Sequence, residues 1–215
     1  MAEDLFKTQY DLTKKSKLLK FYESNKILIY SLAFALIILF ASFSFYFEFK
    51  ERKKISMSEN YLQAKIYLEK KNKEKAIETL KNLIYEDDST YSTLSLFLII
   101  NQNLLSDNKE ISDLFDHILK NNDFTEEVRN LLIYKKALFD SNFVDESDLL
   151  KSINPLLNKK TLWQPHALLL LGDYFMSKGE YIKAIEFYQK IFSINNLHPD
   201  IYNQARTQLT IISNE

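Results

Sequence analysis

Residues Ile27 to Phe47 form one unbroken run of 21 residues without a charge, ILIYSLAFALIILFASFSFYF. As a helix rising about 1.5 Å per residue, the run is about 31 Å long, which matches a hydrocarbon core of roughly 30 Å. A buried core helix would seldom need 21 uncharged residues in a row, because globular helices keep a polar stripe. A cleavable secretory signal has a short leading region and an apolar core of about 7–15 residues. Here 26 residues precede a longer core. The pattern predicts a transmembrane helix over 27–47, a tail over 1–26 and a separate domain over 48–215. Tyr30 and Tyr46 stand near the two ends of the run, where amphipathic rings prefer the membrane interface.

Past the run, apolar residues recur with helical period in segments separated by short polar breaks. Helices are predicted near 55–70, 74–86, 90–105, 109–121, 125–140, 145–157, 164–178, 181–194 and 198–212. Asp88, Ser89, Asp107, Thr125 and Asp145 fall where N-caps are expected, and Glu110 and Glu126 supply first-turn acids. Short connections between such helices mean antiparallel hairpins. Two of the hairpins align: YLQAKIYLEKKNKEKAIETLKNLI (61–84) lies over LLGDYFMSKGEYIKAIEFYQKIF (170–192), with Ala64 over Gly172. The offset of 108 is three units of 36, and two weaker copies fill the gap. Equivalent positions on the second helix of each copy are Ala76, Ile111, Ser147 and Ala184. A period of this size marks a helical solenoid.

Residues 165–198 look like a tetratricopeptide repeat, with Leu171-Gly172 in the first helix, Gly179 and Tyr181 at the turn, Ala184 and Tyr188 in the second helix, and a late Pro199. Small residues at 172 and 184, and at Ala64 and Ala76 in the first copy, let the two helices of a hairpin touch. The leading Trp is missing. Ile99 and Ile111 replace small residues in the second copy, while the third has Lys135 at a small position and Pro155 late in its second helix. The layout of a lysine-bearing tail, one span, three to four divergent repeats and a C-terminal helix resembles the YfgM-type family, ancillary subunits of the bacterial Sec translocon. The resemblance covers roughly residues 20–212. It implies an inner-membrane protein whose periplasmic repeats receive or pass on exported polypeptides, beside translocon subunits and periplasmic chaperones. It carries over no catalytic residue. The alternative reading is a membrane-anchored structural scaffold for envelope assembly or cell division, using the same surface for one dedicated partner.

Composition narrows the classes further. Two glycines and three prolines remove most of the turn vocabulary of a β-sandwich or a dinucleotide-binding fold. The expected fold is therefore all-α, one transmembrane helix followed by a tetratricopeptide-like solenoid of helical hairpins. A net charge of −1 offers no footprint for nucleic acid, and the absence of cysteine excludes disulfides and thiolate metal sites. The 1–26 tail carries six lysines against four acids, and Lys50, Arg52, Lys53 and Lys54 follow the span. Counting positive charge gives a slight preference for a cytoplasmic N-terminus and an exported C-terminal domain.

No catalytic, cofactor or metal site is predicted. His117, His166 and His198 each stand alone, apart from Asp113 four residues before His117, and read as exposed helix or turn residues. There is no nucleophile elbow, phosphate loop or zinc-helix motif. Asp87–Asp88 and Glu126–Glu127 sit at helix starts, where the dipole explains them. Most of the 16 Phe and 13 Tyr follow helical period and read as core. The repeat frame points Tyr61, Lys65, Leu68, Leu96, Ile100, His166, Leu169, Asp173 and Met176 towards the groove that stacked first helices create. Such a mixed surface suits loosely specific capture of a peptide or partner helix.

Overall fold

The computed structural model describes residues 17–158 and 161–214. They form nine α-helices and no strand, in the order α1 (Lys17–Glu69), α2 (Lys73–Tyr85), α3 (Ser89–Asn101), α4 (Asn108–Asn121), α5 (Glu126–Asp140), α6 (Glu146–Leu157), α7 (Gln164–Ser177), α8 (Tyr181–Phe192) and α9 (Pro199–Asn214). The predicted helices are all present. One difference is that the span and the first repeat helix belong to one element, α1. Residues 1–16, which hold most of the expected tail with Lys7, Lys14 and Lys15, lie outside the described residues.

The chain divides after Ser56 into two units. In the first, α1 contains an 18-residue stretch of mean hydropathy 2.4, none of it buried, long and apolar enough to cross a membrane. From Lys26 to Ser56 every residue except Ile29 is exposed. Asn25 departs from helical geometry at φ −120° and ψ 15°, and its side-chain amide donates to the Phe21 carbonyl at 3.0 Å.

The second unit begins at Met57, the first buried side chain, and takes in α1 from there onwards. Each later helix packs on the next, and α2 also packs on α4, α5 on α7, and α7 on α9. This nearest-neighbour pattern is that of a solenoid. Helix starts are held by side-chain caps: Asn72 accepts from Lys75 N, Asp88 from Thr90 N and Tyr91 N, Asp107 from Lys109 N and Glu110 N, and Asp145 from Asp148 N. Thr125 occupies its expected cap position without a side-chain bond.

The hairpin turns set the register. Lys71, Asn103 and Gly179 have φ of 59°, 46° and 74°. The amide after each donates back across the turn: Asn72 to Tyr67, Leu104 to Ile99, and Glu180 to Phe175, at 2.8–3.0 Å. This is the left-handed helix stop that glycine favours and that Lys71 and Asn103 also adopt. The third hairpin, α5–α6, turns differently, with Phe143 N and Val144 N both donating to the Asp140 carbonyl.

The turns correct the repeat frame in two places. Seven residues before the left-handed residue stand Ala64, Leu96 and Gly172, all buried. Leu96, expected to face the groove, is therefore at the small-residue position inside its hairpin and is wholly buried. In the third hairpin Lys135 is exposed while Lys136 and Ala137 are buried. Its second helix uses Leu149, four residues after the cap Asp145, rather than the exposed Ser147.

Two apolar clusters make the core. One joins Ala64, Leu80, Ile84, Ile99, Phe115 and Leu132, from the end of α1 through α5. The other joins Ala137, Leu149, Leu171, Phe175, Tyr188 and Ala205, from α5 through α9. Helix α5 contributes to both. Helix α9 packs on the second cluster, with Ile201 and Ala205 buried and Leu209 and Ile212 half-buried. Tyr202 packs its ring on Phe192, 5.0 Å between centroids.

Candidate functional site

The first helices of successive hairpins, α3, α5 and α7, line one face of the repeat unit together with α9. A cleft of about 1210 Å³ lies there. Its walls are α5 (Glu126, Glu127, Tyr134), the connection before α7 (Thr161, Leu162), α7 itself (His166, Leu169), and the connection into α9 (residues 193–198) with Asp200 and Gln204. A smaller cleft of about 280 Å³ continues it between α7 and α9, sharing Leu169 and Gln204 and adding Asp173. Between α3 and α5 lies a third, about 420 Å³, lined by Thr90, Thr93, Leu94, Phe124 and Val128. Leu94 and Val128 are exposed, at 42% and 40%.

Tyr134 and His166 both line the main cleft. Tyr134 stacks on Trp163 with centroids 5.6 Å apart, and His166 lies 5.7 Å from Tyr134 and 5.3 Å from Trp163. Desolvation lowers the His166 pKa below the ordinary imidazole range, and the nearby His198 lowers it further. Desolvation raises the Tyr134 phenol, with the Asp173 charge adding to the shift. Desolvation also raises the Asp173 carboxyl, against the Tyr188 hydroxyl that donates to its Oδ1 at 2.7 Å. The same hydroxyl lies 3.7 Å from Met176 Sδ.

Of the nine residues the sequence pointed to the groove, the structure brings His166, Leu169 and Asp173 together on these clefts, with Met176 one turn further along α7. Tyr61, Leu68 and Ile100 are half-buried against the first core cluster, and Tyr61 lies 6.3 Å from the Tyr91 ring. Lys65 is exposed. Leu96 is core, as described above. The repeat frame overlooked Leu162, Asp200 and Gln204 because connections and the capping helix carry no repeat period. Thr90 and Thr93 were overlooked because the frame slipped in the second hairpin.

The opposite face, where the second helices lie, has a groove of about 430 Å³ between α4, α5 and α6. Lys136 is buried there, with Nζ 2.7 Å from Asp140 Oδ2 and 3.5 Å from Asp116 Oδ2, while Ser112 donates to the same Asp140 oxygen at 3.3 Å. His117, expected to stand alone and exposed, is half-buried and places Nε2 2.8 Å from Asp87 Oδ1, while Asp113 pairs with Lys109. No group of three or more potential metal ligands occurs among the described residues.

The family model described as tetratricopeptide repeat matches residues 60–90 and 165–196. These stretches hold the first hairpin (the end of α1 with α2) and the fourth (α7 with α8). No curated protein and no solved structure matches the chain. Tetratricopeptide repeats indicate a protein–protein interaction module, and their helical fold is typically a non-catalytic scaffold.

Proposed function

We propose that the chain is a membrane-anchored module that holds segments of other polypeptides in the groove of α5, α7 and α9. It acts beside the Sec translocon, receives exported polypeptides as they emerge and hands them to periplasmic chaperones. The observation that carries this reading is the pair of clefts on α5, α7 and α9, which share Leu169 and Gln204 and are lined by both apolar and polar groups. Two tetratricopeptide matches support a protein partner, and the apolar helix over 27–47 supports attachment to a bilayer. In this proposal the tail is cytoplasmic and the repeats are periplasmic in a bacterial inner membrane.

A photoreactive residue at Gln204, which is exposed and borders both parts of the cleft, tests the reading in cells. Crosslinks to many exported polypeptides and to translocon subunits are expected. Crosslinking to one stoichiometric partner would instead identify a scaffold for envelope assembly or cell division. A reporter fused after Glu215 that is active only in the cytoplasm would overturn the orientation.

A further inference from the structure

Resting on the reading of that groove as a polypeptide site, we propose that it selects segments in which arginine or lysine alternates with apolar residues. Glu127 of α5 and Asp200 of α9 line the main cleft, Asp173 its continuation, and Asp123 the cleft between α3 and α5. Among the described residues lining these three cavities there is no lysine or arginine. Lys136 and Lys151 line the groove on the opposite face. Arg129, on α5, is committed to capping α4, with Nη1 2.6 Å from the Leu119 carbonyl and Nη2 3.1 Å from that of Asn122.

The Tyr134 ring points to the same ligand by a separate route. Tyr134 lines the main cleft and, stacked on Trp163, brings a π-system to it, which attracts cations and guanidinium planes most strongly where water is partly excluded. His166 beside them is held neutral by desolvation near neutral pH, so it does not compete as a cation. The exposed Leu94, Val128 and Leu162 supply apolar contacts between the acidic positions. Carboxylates and π-faces both favour cations and reject anions, so the groove discriminates by repulsion as well as attraction.

The test uses the full chain in detergent and three fluorescein-labelled peptides of identical length, with alternating leucine and a variable residue: arginine, glutamine or glutamate. Fluorescence anisotropy at low salt is expected to rank them arginine, glutamine, glutamate, with about tenfold between neighbours, the size of one well-placed ionic contact. The double variant Glu127→Gln, Asp200→Asn should weaken the arginine peptide about fivefold and leave the glutamine peptide unchanged, with the melting temperature preserved. Equal affinity for all three peptides, lost on Leu162→Asp, would overturn the cation preference while leaving the groove reading intact. Binding of none of them would overturn both.

Discussion

A Cβ built on Gly172 would lie 2.3 Å from Cε1 of Tyr188, whose side chain is wholly buried. Helices α7 and α8 touch only because position 172 has no side chain. The first hairpin fills the same space the other way round: Ala64 and Leu80 stand at the equivalent positions, both wholly buried in one cluster. A larger first-helix residue goes with a smaller second-helix one. Gly172→Ala should gain about 1 kcal/mol of helix propensity and lose about 3 to overpacking, a net loss of about 2 kcal/mol. That corresponds to a melting temperature roughly 4–8 °C lower. Tyr188→Leu in the same chain should recover part of the loss. An unchanged melting temperature in the single variant would refute the close approach.

Lys136 and Asp140 form an ion pair that is nearly dry, with side chains 11% and 4% exposed. Removing one partner leaves a buried charge, so Lys136→Met should cost about 3–5 kcal/mol. The double variant Lys136→Met, Asp140→Leu should be close to neutral, because two desolvated charges are replaced by apolar volume. Urea unfolding of the two singles and the double measures the coupling directly. Simple additivity would show that the pair is not a unit.

The helices were legible in the sequence because capping acids and apolar period agreed at Asp88, Asp107 and Asp145. The first and fourth hairpins were legible because Ala64, Ala76, Gly172 and Ala184 mark their contacts. The second hairpin was misread by three residues because its left-handed stop is Asn103, which unlike Gly179 leaves little trace in composition. The third escaped for a different reason. A lysine inside a helix reads as surface, and what makes Lys136 tolerable underground is its pair with Asp140, whose burial depends on packing that periodicity does not show. Much of the main cleft was unreadable in principle from periodicity, since its walls include Thr161, Leu162 and residues 193–198, which belong to connections.

The lowered pKa of His166 fixes the sign of one pH effect. Below pH about 6.5 the unfolded chain takes up a proton that the folded one resists, so stability falls as the pH drops through that value. The fall levels off once the folded imidazole also titrates. His166→Asn should therefore lose less melting temperature than the parent between pH 7.5 and 5.5. The groups facing the ring, Glu126, Glu127, Asp200 and His198, are the same in both proteins. Parallel curves would show that burial of His166 carries no cost.

Helix α9 shields the second core cluster at the end of the solenoid, through Ile201, Ala205, Leu209 and Ile212. Ending the chain after Asn196 exposes that face. The loss of about 3 kcal/mol expected from two or three partly buried aliphatic side chains should lower the melting temperature by roughly 5–10 °C. It should also increase binding of a hydrophobic dye. A truncated chain that melts with the parent would mean that α8 already closes the core.

Leu94 and Leu96 stand two residues apart on α3 and should behave in opposite ways. Leu94 is 42% exposed and lines the cleft between α3 and α5, whereas Leu96 is 0% exposed in the first core cluster. Leu96→Ala should destabilise by about 2–5 kcal/mol, the cost of a buried leucine with its cavity. Leu94→Gln should change stability by no more than about 0.5 kcal/mol, as surface substitutions do. If the groove holds polypeptide, the combination Leu94→Gln, Val128→Gln should weaken capture several-fold while unfolding like the parent. Leu96→Ala should affect capture only in proportion to the fraction unfolded. Thermal melts paired with peptide titrations on the same samples separate the two. Full capture by the Leu94, Val128 variant would confine binding to the cleft of α5, α7 and α9.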